Sequence, residues 1–427
     1  MKLNTRRTML IGLAFMSICA FWQLYNYVVP LMLRYTFHLH DGTIGIVMAA
    51  DNVLALFLLP LFGSLSDKTH TKLGRRTPYI LGGTVAAAIL MVLLAAADWA
   101  AKLPMFIAVL AALLLAMSVY RSPAVALMPD VTPKPFRSKA NAIINLMGAL
   151  GGIFAYGIVW AMLPKIDPVT QTKPASYVPV FAVIAAFMLT AAIILPFTVK
   201  ENKLAAEMPP EPDEDDGSGD AKLAPDVRRS LIFLLASVAL WYMAYNAVES
   251  AYSRFVFDRW GADEGVGSTM MIVAMLVATA SYIPVGALSS KIGRKRVILG
   301  GVVLMGLAFA GGIALTHYSW VAYVLMGIIG IGWAAINVNS YPMVVEMSRG
   351  SDVGKYTGYY YTFSMAAQVV TPILAGTLLK HISYSVLFPY ASFFVACSFV
   401  TMCFVRHGDC KVEAKGGLAA YEDMDAD

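Results

Sequence analysis

Twelve apolar stretches, each about 20 residues or longer, divide this chain almost from end to end. They lie near 8–33, 42–66, 78–97, 104–128, 138–163, 177–197, 229–257, 266–290, 296–316, 319–344, 353–379 and 384–405. A backbone in hydrocarbon must satisfy its own N–H and C=O groups, so each stretch is expected to be a helix and the chain an all-α membrane protein. The charge content agrees. Only 14% of the 427 residues are charged and 59% are hydrophobic, whereas a soluble domain carries roughly a quarter charged residues. There is too little polar surface to wrap a globule in water, so the lipid bilayer is the expected solvent. The basic start (Lys2, Arg6, Arg7) leads into an apolar run, Met9 to Leu33, too long for a signal-peptide core; it reads as the first span.

Between the sixth and seventh stretches the composition changes. Residues 200–228 hold Pro209, Pro210, Glu211, Pro212, Asp213, Glu214, Asp215, Asp216, Gly217 and Gly219. Such a segment cannot bury apolar surface and is expected to be a disordered linker. It splits the chain into six-helix bundles over 1–199 and 229–405, followed by a polar, mobile tail over 406–427. Lys and Arg concentrate in the loops on one side, including Lys68, Lys72, Arg75, Arg76, Lys134, Arg137, Lys139, Lys291, Arg294, Lys295 and Arg296. By the positive-inside rule that side is cytoplasmic, together with both termini and the linker, in a multi-pass protein of the plasma (cell inner) membrane.

Several classes of function find no support. The net charge of +5 is spread over short loops, which suits anionic lipid headgroups and offers nucleic acid no basic stripe. Cys19, Cys397, Cys403 and Cys410 show no metal or disulfide spacing. The six histidines form no HExxH pair, and there is no Gly-x-Ser-x-Gly turn or phosphate loop. An enzyme is not expected, nor is a cofactor or a metal.

A short basic loop occurs twice, half a chain apart. Gly63-x-x-x-Asp67 runs on to Gly74-Arg75-Arg76, and Gly286-x-x-x-Ser290 runs on to Gly293-Arg294-Lys295-Arg296. The repeat extends to Pro129-Asp130 before Arg137, and to Val345-Glu346 before Arg349. Two similar membrane halves are a common build for solute carriers. The first loop resembles the signature of the major facilitator superfamily. Asp67 through Gly74-Arg75-Arg76-Thr77-Pro78, and Ser122-Pro123 through Pro129-Asp130 with Arg137-x-x-Ala140-Asn141, are similar to the sucrose and disaccharide proton symporters and to their glycoside–pentoside–hexuronide cation symporter relatives. The resemblance implies two pseudo-symmetric six-helix bundles whose first, fourth, seventh and tenth helices line a central cavity. The glycoside cation symporters carry an Asp directly before a Pro-x-x-Gly on the second span, and another one turn earlier. Here Pro60-x-x-Gly63 keeps the frame but Leu59 and Ala55 hold those positions. Hard cations need several oxygens, so a proton is the expected coupling ion.

Charges within the spans point the same way, because each costs roughly 3 kcal/mol at mid-bilayer. Asp51 lies sixteen residues before Asp67, about 24 Å along the helix. Arg121 lies deep in the fourth span. Glu249 shares one face of the seventh with Tyr242, Tyr245, Asn246, Tyr252 and Ser253. By the resemblance, Arg121 and Glu249 face each other across the cavity. Glu249 or Asp51 would take up a proton, with Arg121 modulating its affinity.

A sugar needs amides and carboxylates for its hydroxyls and aromatic planes for its faces. Cavity-facing candidates are Trp22, Gln23, Tyr25 and Asn26 on the first span, and Asn141 and Asn145 on the fifth. Others are Tyr242, Tyr245 and Asn246 on the seventh, Trp333 and Asn337 on the tenth, and Tyr360 and Gln368 on the eleventh. By the resemblance, Asp67, Arg75, Arg76, Asp130 and Arg137 form one cytoplasmic gate cluster, with Arg294 and Glu346 in the equivalent one. Ser290 stands where the first half has Asp67, so the two latches should be unequal. The expectation is a secondary active transporter, a proton-coupled symporter of a disaccharide or other glycoside working by alternating access. The alternatives are a facilitator-type exporter of drugs or other amphiphilic solutes, and a sodium-coupled sugar symporter.

Overall fold

The computed structural model describes residues 3–162, 176–206, 223–262, 264–348 and 352–409. Its helices are α1 (Thr5–Tyr35), α2 (Asp41–Asp67), α3 (Thr77–Trp99), α4 (Leu103–Asp130), α5 (Arg137–Met162), α6 (Val178–Thr198), α7 (Glu201–Ala206), α8 (Pro225–Trp260), α9 (Glu264–Ile292), α10 (Arg294–Ala314), α11 (Val321–Glu346), α12 (Val353–His381) and α13 (Leu387–Cys403). All but α7 are long and apolar enough to cross a membrane, α13 together with the turn before it, as Tyr384–Cys403. No strand occurs among the described residues. The expected spans agree with these twelve to within about one helical turn. The ends follow local chemistry. Helix α8 starts with Pro225 in its first turn and Asp226 beside it, and stops at Gly261 in the left-handed region, φ 64°. Prolines inside α1, α2, α4, α6, α9, α11 and α12 do not end those helices, because neighbouring helices support the freed backbone groups.

Helices α1–α6 pack into one half and α8–α13 into the other. The halves meet where α2 lies on α12, α5 on α9, α5 on α11 and α4 on α12. Matched by order in each half, these pairs interchange, as a pseudo-twofold requires. The crossings need glycine. A Cβ on Gly358 would stand 2.2 Å from the Pro60 Cα, and one on Gly63 would stand 2.1 Å from the Gly354 carbonyl oxygen. On the other side a Cβ on Gly286 would stand 2.7 Å from the Ala142 Cβ. The two backbones of α2 and α12 can touch only because these side chains are missing.

Two boundaries need correction. The linker expected over 200–228 is ordered at both margins, since Glu201–Ala206 is helical and α8 begins at Pro225; its acidic middle lies outside the described residues. The tail expected to be mobile from Arg406 is tied down through Asp409. The Arg406 amide donates to the Ser230 hydroxyl at 3.2 Å, and the His407 ring lies 2.9 Å from the same hydroxyl and 3.4 Å from Asp226. Composition showed that these margins are polar, but not that polar groups of the bundle await them.

Candidate functional site: a chamber between the halves and its basic-end closure

The end of the molecule carrying the α2–α3, α4–α5, α9–α10 and α11–α12 loops, here the basic end, is held shut by polar contacts between the halves. Asp67 closes α2 and reaches the start of α12, where it accepts from the Gly354 and Lys355 amides at 2.8 Å each. A carboxylate of one half thus caps a helix of the other, using N–H groups that no helix can satisfy internally. The Arg76 guanidinium, fully buried, bonds Asp67 and lies 2.7 Å from Asp130. Burial opposes the charge on Arg76, but Asp130 and Asp67 outweigh it and hold its proton more tightly than usual. Arg75 also pairs with Asp130, at 2.7 Å.

The second half closes differently. Arg294 crosses to the first half, donating to the Ser138 hydroxyl at 2.9 Å and to the Lys134 carbonyl, while Glu346 accepts from it at 3.1 Å. Arg137, expected in one cluster with Asp67 and Asp130, donates to the Pro129 and Thr132 carbonyls on either side of Asp130 at 3.0 and 3.3 Å and also lies 3.4 Å from Glu346 across the halves. The reason is its position as the first residue of α5, which faces the end of α11. Among the described residues only Asp67 places a carboxylate on the partner half's helix amides, and its counterpart Ser290 bonds its own helix at the Gly286 carbonyl. The expected inequality of the latches takes this form. Arg349 lies outside the described residues.

One layer further in, Asn141 donates to the backbone carbonyls of Asn337 and Val338 at 3.0 and 2.9 Å, and Tyr341 donates to the Val125 carbonyl at 3.2 Å. Above this floor the side chains change character. Arg121 sits between two rings, 5.3 Å from the Trp22 centroid and 4.7 Å from that of Tyr361. Trp22 belongs to its own half and Tyr361 to the other. Asp51 is the carboxylate whose charge interacts with Arg121. On the facing wall Trp333 stacks on Tyr245 at 3.9 Å and 3°, and meets Tyr242 edge-on at 5.1 Å. Tyr242 donates to the Asn337 side-chain Oδ1 at 3.4 Å and lies 3.5 Å from the Tyr360 hydroxyl, which is 3.1 Å from that of Ser340. Asn246 and Glu249 continue this face. Tyr242, Tyr245 and Glu249 are solvent-accessible although densely surrounded by protein. That combination suits a wall that faces a gap between helices better than a flank turned to acyl chains.

The sequence expectations fare unevenly. Arg121 and Glu249 were expected to face one another. Arg121 instead is held by Trp22 and Tyr361 near Asp51, and among the described residues Glu249 has no ion pair. On α8 it is Tyr242 that lies within the electrostatic reach of Arg121. Tyr25 was expected in the cavity but is 1% exposed, stacked on Phe21 at 5.9 Å. Asn141 belongs to the floor, with Asn145 donating to its carbonyl at 3.0 Å. Gln368 turns to the Met365 sulfur at 3.6 Å, and Gln23 packs against α5 at Gly152. Asn26 is exposed on α1. Tyr252 leaves the face and donates to the Met270 sulfur at 3.0 Å in the core of its own half; the side chain of Ser253 lies outside what is described. Ala55 and Leu59 pack with Met365, so their place holds no ligand oxygens. Residues missed were Tyr361, Tyr341 and Glu201. Tyr359-Tyr360-Tyr361 is visible in the sequence, but the helical stripe chosen through Tyr360 passes beside Tyr361.

Comparison with known proteins agrees with this architecture. In the FucP structure in the outward conformation, the TM-score is 0.70 at 13% identity, covering 94% of this chain and 99% of that one. The E. coli fucose:proton symporter FucP, as a single-residue variant, gives 0.66 at 14%, covering 95% and 99%. A bacterial homologue of the iron transporter ferroportin in an outward-facing state gives 0.72 at 12%, covering 94% and 99%. At these identities the likeness is one of fold. Two uncharacterized MFS-type transporters of Mycobacterium tuberculosis (strains CDC 1551 / Oshkosh and ATCC 25618 / H37Rv) are 27% identical over 176 residues, 39% of this chain and 24% of their own length. The chain thus aligns with about a quarter of those relatives. The family described as MFS/sugar transport protein matches residues 10–384. With twelve helices among the described residues long and apolar enough to cross a membrane, and a family match over most of its length, the chain belongs to the major facilitator superfamily, in its MFS/sugar transport protein family.

Proposed function

We propose that this transporter carries a disaccharide or other glycoside together with a proton, by alternating access. The observation that carries the sugar reading is the wall of α8, α11 and α12. Trp333 and Tyr245 form a flat aromatic pair, with Asn337, Tyr242 and Tyr360 hydroxyl and amide groups in reach of one another beside it. Flat rings suit the weakly apolar faces of a pyranose, and convergent amides and hydroxyls suit its rim. The family description supports a sugar as well. An exporter of amphiphiles would need no such polar set.

Coupling is assigned to Asp51, Arg121 and Glu249. Asp51 and Arg121 lie within electrostatic reach in the first half. Arg121 is also pinned by Tyr361 of the second, so separation of the halves moves a cation relative to a carboxylate and changes its affinity for a proton. Glu249 lines the chamber on the second half and is the second proton-binding candidate. With the basic end cytoplasmic by the positive-inside rule, the closed state described above faces outward. Proteoliposomes given labelled disaccharides, with and without an inward proton gradient, test the proposal. Accumulation driven by the gradient, and its loss in Glu249→Gln or Asp51→Asn, is the expected result. Equal uptake with and without the gradient, and no response to sodium, would leave a facilitator. Efflux of apolar dyes without sugar transport would establish the exporter.

A further inference from the structure

The segment leaving each half folds back onto that half's arginine loop. Glu201, three residues beyond α6, is buried, 3% exposed. Its carboxylate accepts from the amides of Arg75 at 2.8 Å, Arg76 at 2.9 Å and Thr77 at 3.0 Å, and from the Thr77 hydroxyl at 2.8 Å. These are the amides that open α3. Asn202 follows, donating to the Thr71 and Lys72 carbonyls at 3.0 and 3.1 Å. Gly74, φ 117°, leaves the room: a Cβ there would stand 2.1 Å from the Glu201 carboxylate oxygen. In the second half Asp409, beyond α13, accepts from the Arg294 amide at 2.6 Å, next to Gly293 at φ 98°. Arg294 aligns with Arg75 in the repeat, so the same device occurs twice in different sequences, Glu201 on α3 and Asp409 on α10.

We propose that Glu201 and Asp409 are positioning residues of the basic-end gate. Each clasps the loop whose arginine latches the halves, so that the chain leaving a half is mechanically tied to the gate. The connection in the first half is continuous. Glu201 holds the Arg76 backbone, the Arg76 side chain holds Asp67, and Asp67 caps α12 of the other half. A buried carboxylate serving four donors cannot be replaced by an amide of equal shape, because Gln has one acceptor oxygen and adds two donors. Releasing Glu201 lets the start of α3 fray and Arg76 lose its fixed angle onto Asp67. This inference rests on the basic end being a gate.

The test is the distance across that end between spin labels at Lys68 and Lys291, both exposed, in the full-length protein in lipid. Asp67→Asn should raise the ratio of long to short distances by about fivefold or more. Glu201→Gln should do the same, and the double variant should open no further than either single one, since both act through Arg76. Asn202→Ala, which leaves no buried vacancy, should open in the same direction by less, and serves if Glu201→Gln fails to fold. Opening by Asp67→Asn with none from Glu201→Gln or Asn202→Ala would overturn the clasp and leave the gate standing. Strictly additive opening would make Glu201 a mere structural cap and also overturn it. No opening by Asp67→Asn would remove the gate, and the clasp with it.

Discussion

Arg121 lies within a membrane-spanning helix without a carboxylate in ion-pair contact among the described residues. Its charge is met by two ring faces and by Asp51 at longer range. A guanidinium is flat and can lie against two rings at once, whereas an ammonium is a compact point charge. Arg121→Lys should therefore reduce sugar transport about tenfold or more, and the same reduction should appear in Tyr361→Leu, measured as initial uptake rate. Retained rates in both would remove the sandwich from the mechanism. On the proposed function the aromatic pair binds the sugar, so Trp333→Ala should raise the KM for sugar several-fold, from about 1 kcal/mol of lost stacking, with a smaller change in maximal rate. Much of this was legible in the chain. Arg121, Asp51 and Glu249 are conspicuous because charge is rare in the spans. Which carboxylate Arg121 serves was not legible, because it depends on helix rotation, and a stripe of period 3.6 leaves each member tens of degrees of freedom. Asn141 and Tyr25 mislead for a similar reason: an amide or a phenol on an inner face serves a cavity, a neighbouring helix or a floor with equal ease.

At the scale of elements, twelve helices follow directly from apolar length, since the bilayer permits little else. The basic loops followed from their repeat. The capping contacts did not, because Glu201 and Asp409 lie in segments whose composition reads as solvated chain. Between the halves the closest contact in the described structure is α2 with α12, where Gly63, Gly354, Gly358 and Pro60 bring backbones together. Gly358→Leu should separate these helices and open the basic end. Gly286→Leu, at the equivalent α5–α9 crossing, should open it less, because no Asp67-like cap is lost there. Labelling of a cysteine at the Asn141 position by a membrane-impermeant thiol reagent checks this: faster labelling from the basic side in Gly358→Leu than in Gly286→Leu is expected, and equal rates would mean that the two latches carry equal weight.

At the scale of the molecule, two bundles share a floor of inter-half hydrogen bonds toward the basic end and a chamber above it. The bonds from Asp67, Arg137, Arg294, Asn141 and Tyr341 are individually modest, about 1 kcal/mol each, so together they bias a two-state equilibrium without freezing it. The central claim is that the halves rock about the chamber. Two distances measured on one sample in lipid test it most directly: Lys68 to Lys291 across the basic end, and His40 to Arg259 across the opposite end. On acidification with a transported sugar present, the first distance should lengthen as the second shortens, with both populations interconverting. If the two distances stay fixed, or lengthen together, the halves do not rock and the account is contradicted.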